Sequence, residues 1–360
     1  MKTSKTNLFL SALLASAAVL LGTACTPKGG SKVDGSDEVL RALPQNAELA
    51  MYFDQEAISE SKFSEAVQEM QEDTANAEET KELSEKFTEI TGLEDDDVTD
   101  FALAISGLDS IQTDPSQLKI SGALYAVEPV TAEQIVAAVS YIAEQNGETV
   151  EMAITVGEGI DYIEFENEPG TPKIIAAVVT GESDTTVFFG DRGSVDASLA
   201  REVGSVPAAL KAPSNGLIEG QQGWISVILP ESMKMQLAGM TAQGEQMLPG
   251  LSRLNSLQSI GIGIKAADAL DIAVGFNLGT EDDAVAVEAI LNNQLISFAK
   301  MMLSGGTPEP LPLLNSLAAA QSGDRAILSM ALSLKDISIL QEQIVNMIPT
   351  GSPGLSPAIQ

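Results

Sequence analysis

A chain of 360 residues, 44% of them hydrophobic, has material for two domains or one large duplicated body. Its 51 acids against 19 bases set a net charge of −32, which repels phosphate backbones and excludes nucleic acid as a partner. With no histidine and a single cysteine, it is without Ser-His-Asp and Cys-His catalysis, histidine-ligated metals, multi-cysteine metal sites and internal disulfides.

At the amino terminus, Lys2 and Lys5 precede an apolar stretch from Leu8 to Leu21. That stretch has signal-peptide length and is short for a transmembrane helix. The small residues Gly22, Thr23 and Ala24 follow, then Cys25. The run Leu21–Cys25 resembles the lipobox of bacterial lipoproteins, with Gly22 where that family usually has leucine. The resemblance implies removal of residues 1–24, acylation of the Cys25 thiol with palmitate-type chains, and anchoring of the exported protein in the cell envelope. Two or three acyl chains hold stably where one does not. Thr26, in place of the aspartate that favours inner-membrane retention in familiar Gram-negative lipoproteins, implies the outer membrane. Residues 25–42, rich in Gly, Ser and charge over their first part, are expected to form a flexible tether.

The folded part opens at Leu43-Pro44 and runs into an apolar strand over 47–54. Helical spacing of Phe63, Val67 and Met70, and then of Leu83, Phe87 and Ile90, predicts two helices or one broken helix. Phe101, Leu103 and Ile105 alternate with Ala102, Ala104 and Ser106, which predicts a strand. Ile120, Gly122 and Leu124 alternate with Ser121, Ala123 and Tyr125, a second strand. Thr131 with Gln134 reads as a capping box for a helix carrying Ile135, Val139 and Ile142. The same order recurs about 150 residues later. Ile260, Ile262 and Ile264 alternate with Gly261, Gly263 and Lys265. Ile272, Val274 and Phe276 alternate with Ala273, Gly275 and Asn277. Thr280 then caps a helix carrying Val287, Leu291 and Phe298.

Flanking strands are expected at 149–156, 160–166, 173–179, 185–190, 224–229 and 326–334. Closing helices are expected at 194–202 and 335–347. Short loops between consecutive strands predict an α+β class, mostly antiparallel sheets with helices on one side, in two related halves. The halves span 43–210 and 217–348, with a loose tail over 349–360. The Leu-Pro followed by an apolar strand ending in Asp54 is similar to large α+β domains of uncharacterised exported bacterial proteins; that resemblance implies a fold and no activity.

Local chemistry motifs do not gather into a site. Serine followed three residues later by lysine occurs at Ser59/Lys62, Ser116/Lys119 and Ser297/Lys300, which is the frequency of background. Around Glu94–Asp97 the sixth and twelfth positions of a calcium loop hold Asp100 and Ser106, not glycine and glutamate. Gly261-x-Gly263 lies inside a strand and opens no helix, so it is not a nucleotide loop. No catalytic residue, cofactor or metal ligand is expected. The positions that stand out are small: Ala102, Ala104, Ser121, Ala123, Gly261, Gly263, Ala273 and Gly275. They make one sheet face smooth, either for close packing or as a shallow groove facing an extended or lipid-like ligand. The sequence points to a non-enzymatic, lipid-anchored envelope protein with a binding or scaffolding role. Its alternative is a periplasm-facing carrier of an apolar ligand. The partner is therefore the membrane through a lipid, together with a protein or an apolar ligand. Cys25→Ser is expected to abolish acyl labelling and release the chain from membranes; a variant that stays bound beside an unlabelled wild type would refute the anchor.

Overall fold

The computed structural model describes residues 35–339, apart from 73–76, 95, 111–113, 115, 116, 146, 148, 166–172, 205, 247, 248, 299 and 301–312. The signal segment, Cys25, most of the expected tether and the tail lie outside the described residues, as do residues 340–347 of the last expected helix.

In chain order the elements are α1 (Ser36–Leu40), β1 (Leu49–Asp54), α2 (Gln55–Ser59), α3 (Lys62–Glu72), α4 (Ala77–Thr91), β2 (Val98–Ser106), β3 (Lys119–Ala126) and α5 (Ala132–Gln145). Next come β4 (Met152–Val156), β5 (Asp161–Phe165), β6 (Ile174–Thr180), β7 (Thr185–Asp191), α6 (Arg192–Ala200) and α7 (Ala208–Lys211). The remainder comprises β8 (Gly223–Ile228), α8 (Glu231–Gly244), a 3-10 turn (Leu251–Ser256), β9 (Ser259–Ala266), β10 (Leu270–Asn277) and α9 (Glu281–Ile290). A π-helical stretch (Leu291–Ile296), α10 (Leu313–Ser316), β11 (Ala318–Ser322) and β12 (Arg325–Leu332) complete the series. A further helix begins at 334.

Among the described residues all twelve strands join one open sheet, in the order β11-β12-β10-β9-β8-β1-β2-β3-β7-β6-β5-β4. Each pairing is antiparallel. The α+β class therefore stands, with one sheet in place of several. The run β1-β2-β3-β7 on one side of the centre is mirrored by β8-β9-β10-β12 on the other, and β1 pairs with β8 between them. Both expected hairpins, β2-β3 and β9-β10, form and are each followed by a capped helix. Thr131 Oγ1 accepts from Gln134 N, while Gln134 Oε1 accepts from Thr131 N at 2.9 Å. Thr280 Oγ1 accepts from Asp283 N.

The two runs clasp each other. After β1 the chain crosses to the far hairpin, where Phe63 N donates to Ala267 O at 2.9 Å and Lys62 Nζ meets Asp268 at 3.1 Å. After β8 it crosses the opposite way, and Ser232 N donates to Asp109 Oδ1 at 3.2 Å beside the β2-β3 turn.

Strand alternation sorts the side chains. One face carries Met51, Phe53, Phe101, Leu103, Ile225, Ile262 and Val274, as the register requires. On this face Ile135, Val136 and Val139 of α5 pack on Phe101, Leu103, Ile163 and Phe189. At the other end Val287 of α9 and Leu291 join Leu229, Leu257 and Leu278. Helices are expected on one side only; the structure places them on both. Val39 and Leu40 of α1, Val195 of α6 and Leu210 of α7 belong to a cluster on the opposite face, with Ala102, Ala123, Phe188 and Trp224.

That cluster corrects the tether boundary. Residues 36–42 belong to the folded body, because Val39, Leu40 and Ala42 are buried against the sheet. Charged neighbours hide this in the sequence, since a helix of only five residues shows no periodicity. The short elements α7, α10 and β11 escape sequence reading in the same way. α8 escapes because its methionines and polar residues do not form a single apolar stripe.

Where the described chain begins, Gly35 lies under Tyr125: a Cβ there would stand 2.1 Å from Tyr125 Cδ1 and 2.7 Å from Asp100 Oδ2. Asp100 accepts from Tyr52 O–H at 2.7 Å and from Thr99 Oγ1 at 2.9 Å. Tyr125 O–H donates to Asp184 Oδ2 at 3.2 Å. Burial and then the negative charge of Asp184 push the Tyr125 phenol up to about 12. A phenol ionises near 10 in the unfolded chain. Its stabilising contribution is thus complete below about pH 10 and is lost as pH rises through about 12. Urea unfolding at pH 9 and pH 11.5 should show a fall in stability at the higher pH that Tyr125→Phe reduces. An equal fall in both proteins would refute the assignment.

Candidate functional site

The eight small residues singled out by the sequence share one face of the sheet. One row across six strands reads Ser121, Ala104, Ala50, Ser226, Gly261 and Gly275. The adjacent row reads Ala123, Ala102, Tyr52, Trp224, Gly263 and Ala273. The sequence did not place the two rings among them. Tyr52 and Trp224 face each other across the β1·β8 pairing, with centroids 6.4 Å apart, and Trp224 is buried.

Each of the eight is buried, beneath segments of the same chain. On one side the covering segment is α1 with the turn after it. Ser121 Oγ donates to Ala42 O at 3.1 Å, and the Arg41 guanidinium lies 4.8 Å from the centroid of Phe188. On the other side the cover is the stretch from α7 to residue 222. Ser226 Oγ donates to Ser214 Oγ at 3.2 Å. Arg325 ties the same stretch down, donating to Ala212 O at 3.1 Å, to Asn215 O at 2.9 Å and to Asn277 Oδ1 at 2.8 Å.

The glycines exist for this approach. A Cβ on Gly261 would lie 2.0 Å from Pro213 O and 2.6 Å from Ser214 N, both backbone atoms. On Gly275 it would lie 2.7 Å from Leu217 Cδ2, and on Gly263 3.2 Å from Leu217 Cβ. The small face thus lets a covering backbone sit directly on the sheet, and its surface is taken up by the protein itself.

The opposite face is closed less evenly. Over β2 to β6 it is sealed by α5. Over the centre and the second run, register sets two rows side by side. One is Met51, Ile225, Ile262, Val274 and Leu328; the other is Phe53, Gly223, Ile264, Ile272 and Met330. Ile225, Ile262, Ile264, Ile272, Val274 and Met330 belong to none of the buried clusters among the described residues, and each is only half-buried. Separately, helix α8 exposes Met233, Met235 and Met240, the last two each 70% exposed. Single exposed apolar residues are ordinary, but six contiguous large aliphatic chains on one sheet face are a surface that gains by being covered. Covering such a strip releases about 25 cal/mol for each Å2 of apolar area removed from water. The alternation of the second hairpin did identify Ile262, Ile264, Ile272 and Val274 as the bulky face, but not Ile225 or Met330; that the helices would leave part of it half-open is not a local property.

The expected background motifs stay apart. Ser59 Oγ donates to Glu56 O, and Lys62 reaches away to Asp268. Ser297 Oγ donates to Asn292 O, whereas Ser116 lies outside the described residues. Both hydroxyls make local helix contacts of the ordinary kind. Asp97 is buried and caps its own turn, accepting from Glu94 N at 2.7 Å. Among the described residues no three His, Cys, Asp or Glu side chains are grouped to hold a metal ion, and no helix is long and apolar enough to cross a membrane.

Comparison with protein-family models, with curated proteins and with solved structures finds no match to this chain.

Gly261→Ala is expected to force the covering strand of backbone off the sheet and to destabilise by about 1–3 kcal/mol, the range for overpacking a filled core. A thermal melt reads this directly. An unchanged melting temperature would mean that the stretch from α7 to residue 222 does not lie on the sheet.

Proposed function

We propose that this chain is a lipid-anchored protein of the bacterial cell envelope that acts by binding, and that the half-open aliphatic strip over β8, β9, β10 and β12 is its binding surface. The lipobox-like Leu21–Cys25 supports the anchor, and the residue after the cysteine, Thr26, supports the outer membrane. The strip carries the binding role: Ile225, Ile262, Ile264, Ile272, Val274 and Met330 are left half-buried on a sheet whose other face is covered by its own chain. A scaffold that gathers other envelope proteins fits a broad, partly exposed surface best. The aliphatic lining also supports a second reading, a carrier that holds an acyl chain or another lipid-like ligand along the strip.

The matching order of elements on the two sides of the β1·β8 pairing supports descent from an internal duplication. On this reading the two copies diverged in size, with β4 and β5 added to one of them.

The test is native mass spectrometry of full-length protein isolated from its own membrane in mild detergent. The expected result is an acylated chain that retains a protein partner. Ile272→Asp should lose that partner while melting within a few degrees of wild type, since Ile272 is only half-buried. A small apolar adduct lost in the same variant would establish the carrier instead. Retention of any bound species by Ile272→Asp and Ile262→Asp alike would sink the assignment of the strip.

A further inference from the structure

Among the described residues the open sheet has two edge strands, β4 and β11, and each edge is a template on which a further strand can pair. Proteins usually blunt such edges with charge, proline or a bulge. β11 has none of these within it. Its sequence is Ala318-Ala319-Ala320-Gln321-Ser322, and it pairs with β12 without a register shift. β4 is also uncharged within the strand, but it is flanked by exposed Glu151 and Glu158 and lies beside Asp161 and Glu164 of β5. A second copy added at β4 would bring several like charges together, whereas among the described residues β11 is flanked by one exposed acid, Asp324, two residues past its end.

The β11 edge is met by one side chain. Asn292 Nδ2 donates to Ala319 O at 3.1 Å, and Ala319 N donates to Asn292 Oδ1 at 3.2 Å. An amide side chain offers both a donor and an acceptor, so this two-bond contact satisfies the two outward backbone groups of Ala319 that a neighbouring strand would otherwise pair. Since Ala319 turns both its backbone groups outward, alternation directs those of Ala318, Ala320 and Ser322 to β12. Only Ala319 and Gln321 then face away from the sheet, and Asn292 occupies the first of them.

Two features hold the amide in this orientation. Glu288 Oε1 accepts from Asn292 Nδ2 at 2.5 Å, which directs the NH2 group away from Ala319 N and leaves Oδ1 to receive it. Asn292 also lies in the π-helical stretch that follows α9, between buried Leu291 and Ile296. Such stretches occur mostly as single turns and are frequent at functional positions.

We propose that Asn292 is an edge lock: its amide stands in for a thirteenth strand and keeps a second copy of this chain from joining sheets through β11. With Ala319 occupied, an incoming strand reaches only Gln321, too little to hold a register. Crowding on a membrane surface is the condition under which chains without the lock would associate.

Sedimentation velocity of the full-length chain in excess detergent tests this, with hydrogen exchange read at single amides. The wild type should sediment as one chain at every dilution. Asn292→Ala should form a concentration-dependent dimer, with the Ala319 amide exchanging at least tenfold faster and the Ala320 amide unchanged. Adding Gln321→Pro, which removes the other outward donor, should return the variant to monomer. A monomeric Asn292→Ala with a freely exchanging Ala319, or a dimer that survives Gln321→Pro, would overturn the proposal. Should Ala320 exchange as fast as Ala319 in Asn292→Ala, the test passes to Glu288→Ala, which leaves Asn292 in place but frees its amide to turn. That variant must then dimerise in smaller amount, and its remaining monomeric would equally overturn the lock.

Discussion

The structure depends on how closely backbone can approach backbone across the row Ser121, Ala104, Ala50, Ser226, Gly261 and Gly275. At Gly261 a methyl group would meet Pro213 O at 2.0 Å, and at Gly275 it would meet Leu217 Cδ2 at 2.7 Å, so there the cover rests on the sheet because no side chain stands between them. Because the row is continuous through β1 and β8, the same constraint governs both sides of the centre. It explains why two unlike segments, α1 with its turn and the stretch from α7 to residue 222, can do the same work. Each is short, each lies directly on small residues, and each is held by side-chain hydrogen bonds to its carbonyls or hydroxyls. Backbone polar groups placed so near a sheet must find partners, and these bonds supply some of them.

Close packing on one face leaves the other as the face with partly exposed apolar side chains. The helices α5 and α9 and the chain around them seal the two outer parts of that face. The whole sheet is twelve strands wide, α9 packs over only one end of β9, β10 and β12, and the helices that follow β1 and β8 are drawn toward opposite hairpins. The half-buried aliphatic strip lies in what this arrangement leaves. The strip is aliphatic, in keeping with a chain in which only 4% of residues are aromatic, and it is this lining that the proposed binding of an apolar partner rests on.

Strong negative charge acts on a different scale. With 51 acids the surface keeps copies of the chain apart at long range. Salt screens that repulsion beyond roughly 8 Å at physiological ionic strength, so short-range contacts such as strand addition need their own control. The acids that flank β4 provide it at one edge, and the Asn292 amide is placed to provide it at the other.

Much of the fold was legible residue by residue, because alternation and capping are local. Phe101 to Ile105 and Ile260 to Ile264 declared their strands and assigned each side chain to a face, and the register confirms that Ala102, Ala104, Ser121, Ala123, Gly261, Gly263, Ala273 and Gly275 share one face. Thr131 and Thr280 declared their helix starts through bonds made within four residues. What covers the small face was not legible. Val39, Leu40 and Leu43 are too few and too mixed with charge to show a period, and their burial comes from strands that follow them in the chain. The half-open strip was hidden for the same reason, since exposure of Ile262 and Ile272 depends on where helices from both runs come to rest. By itself, then, the sequence determined which residues form strands and helices and which way their side chains point, as these follow from the backbone period and from neighbours in the chain. The tertiary structure alone decided that all strands join one sheet through β1 and β8, which face remains partly open, and that Asn292 meets Ala319, because each of these joins residues that share no local signal.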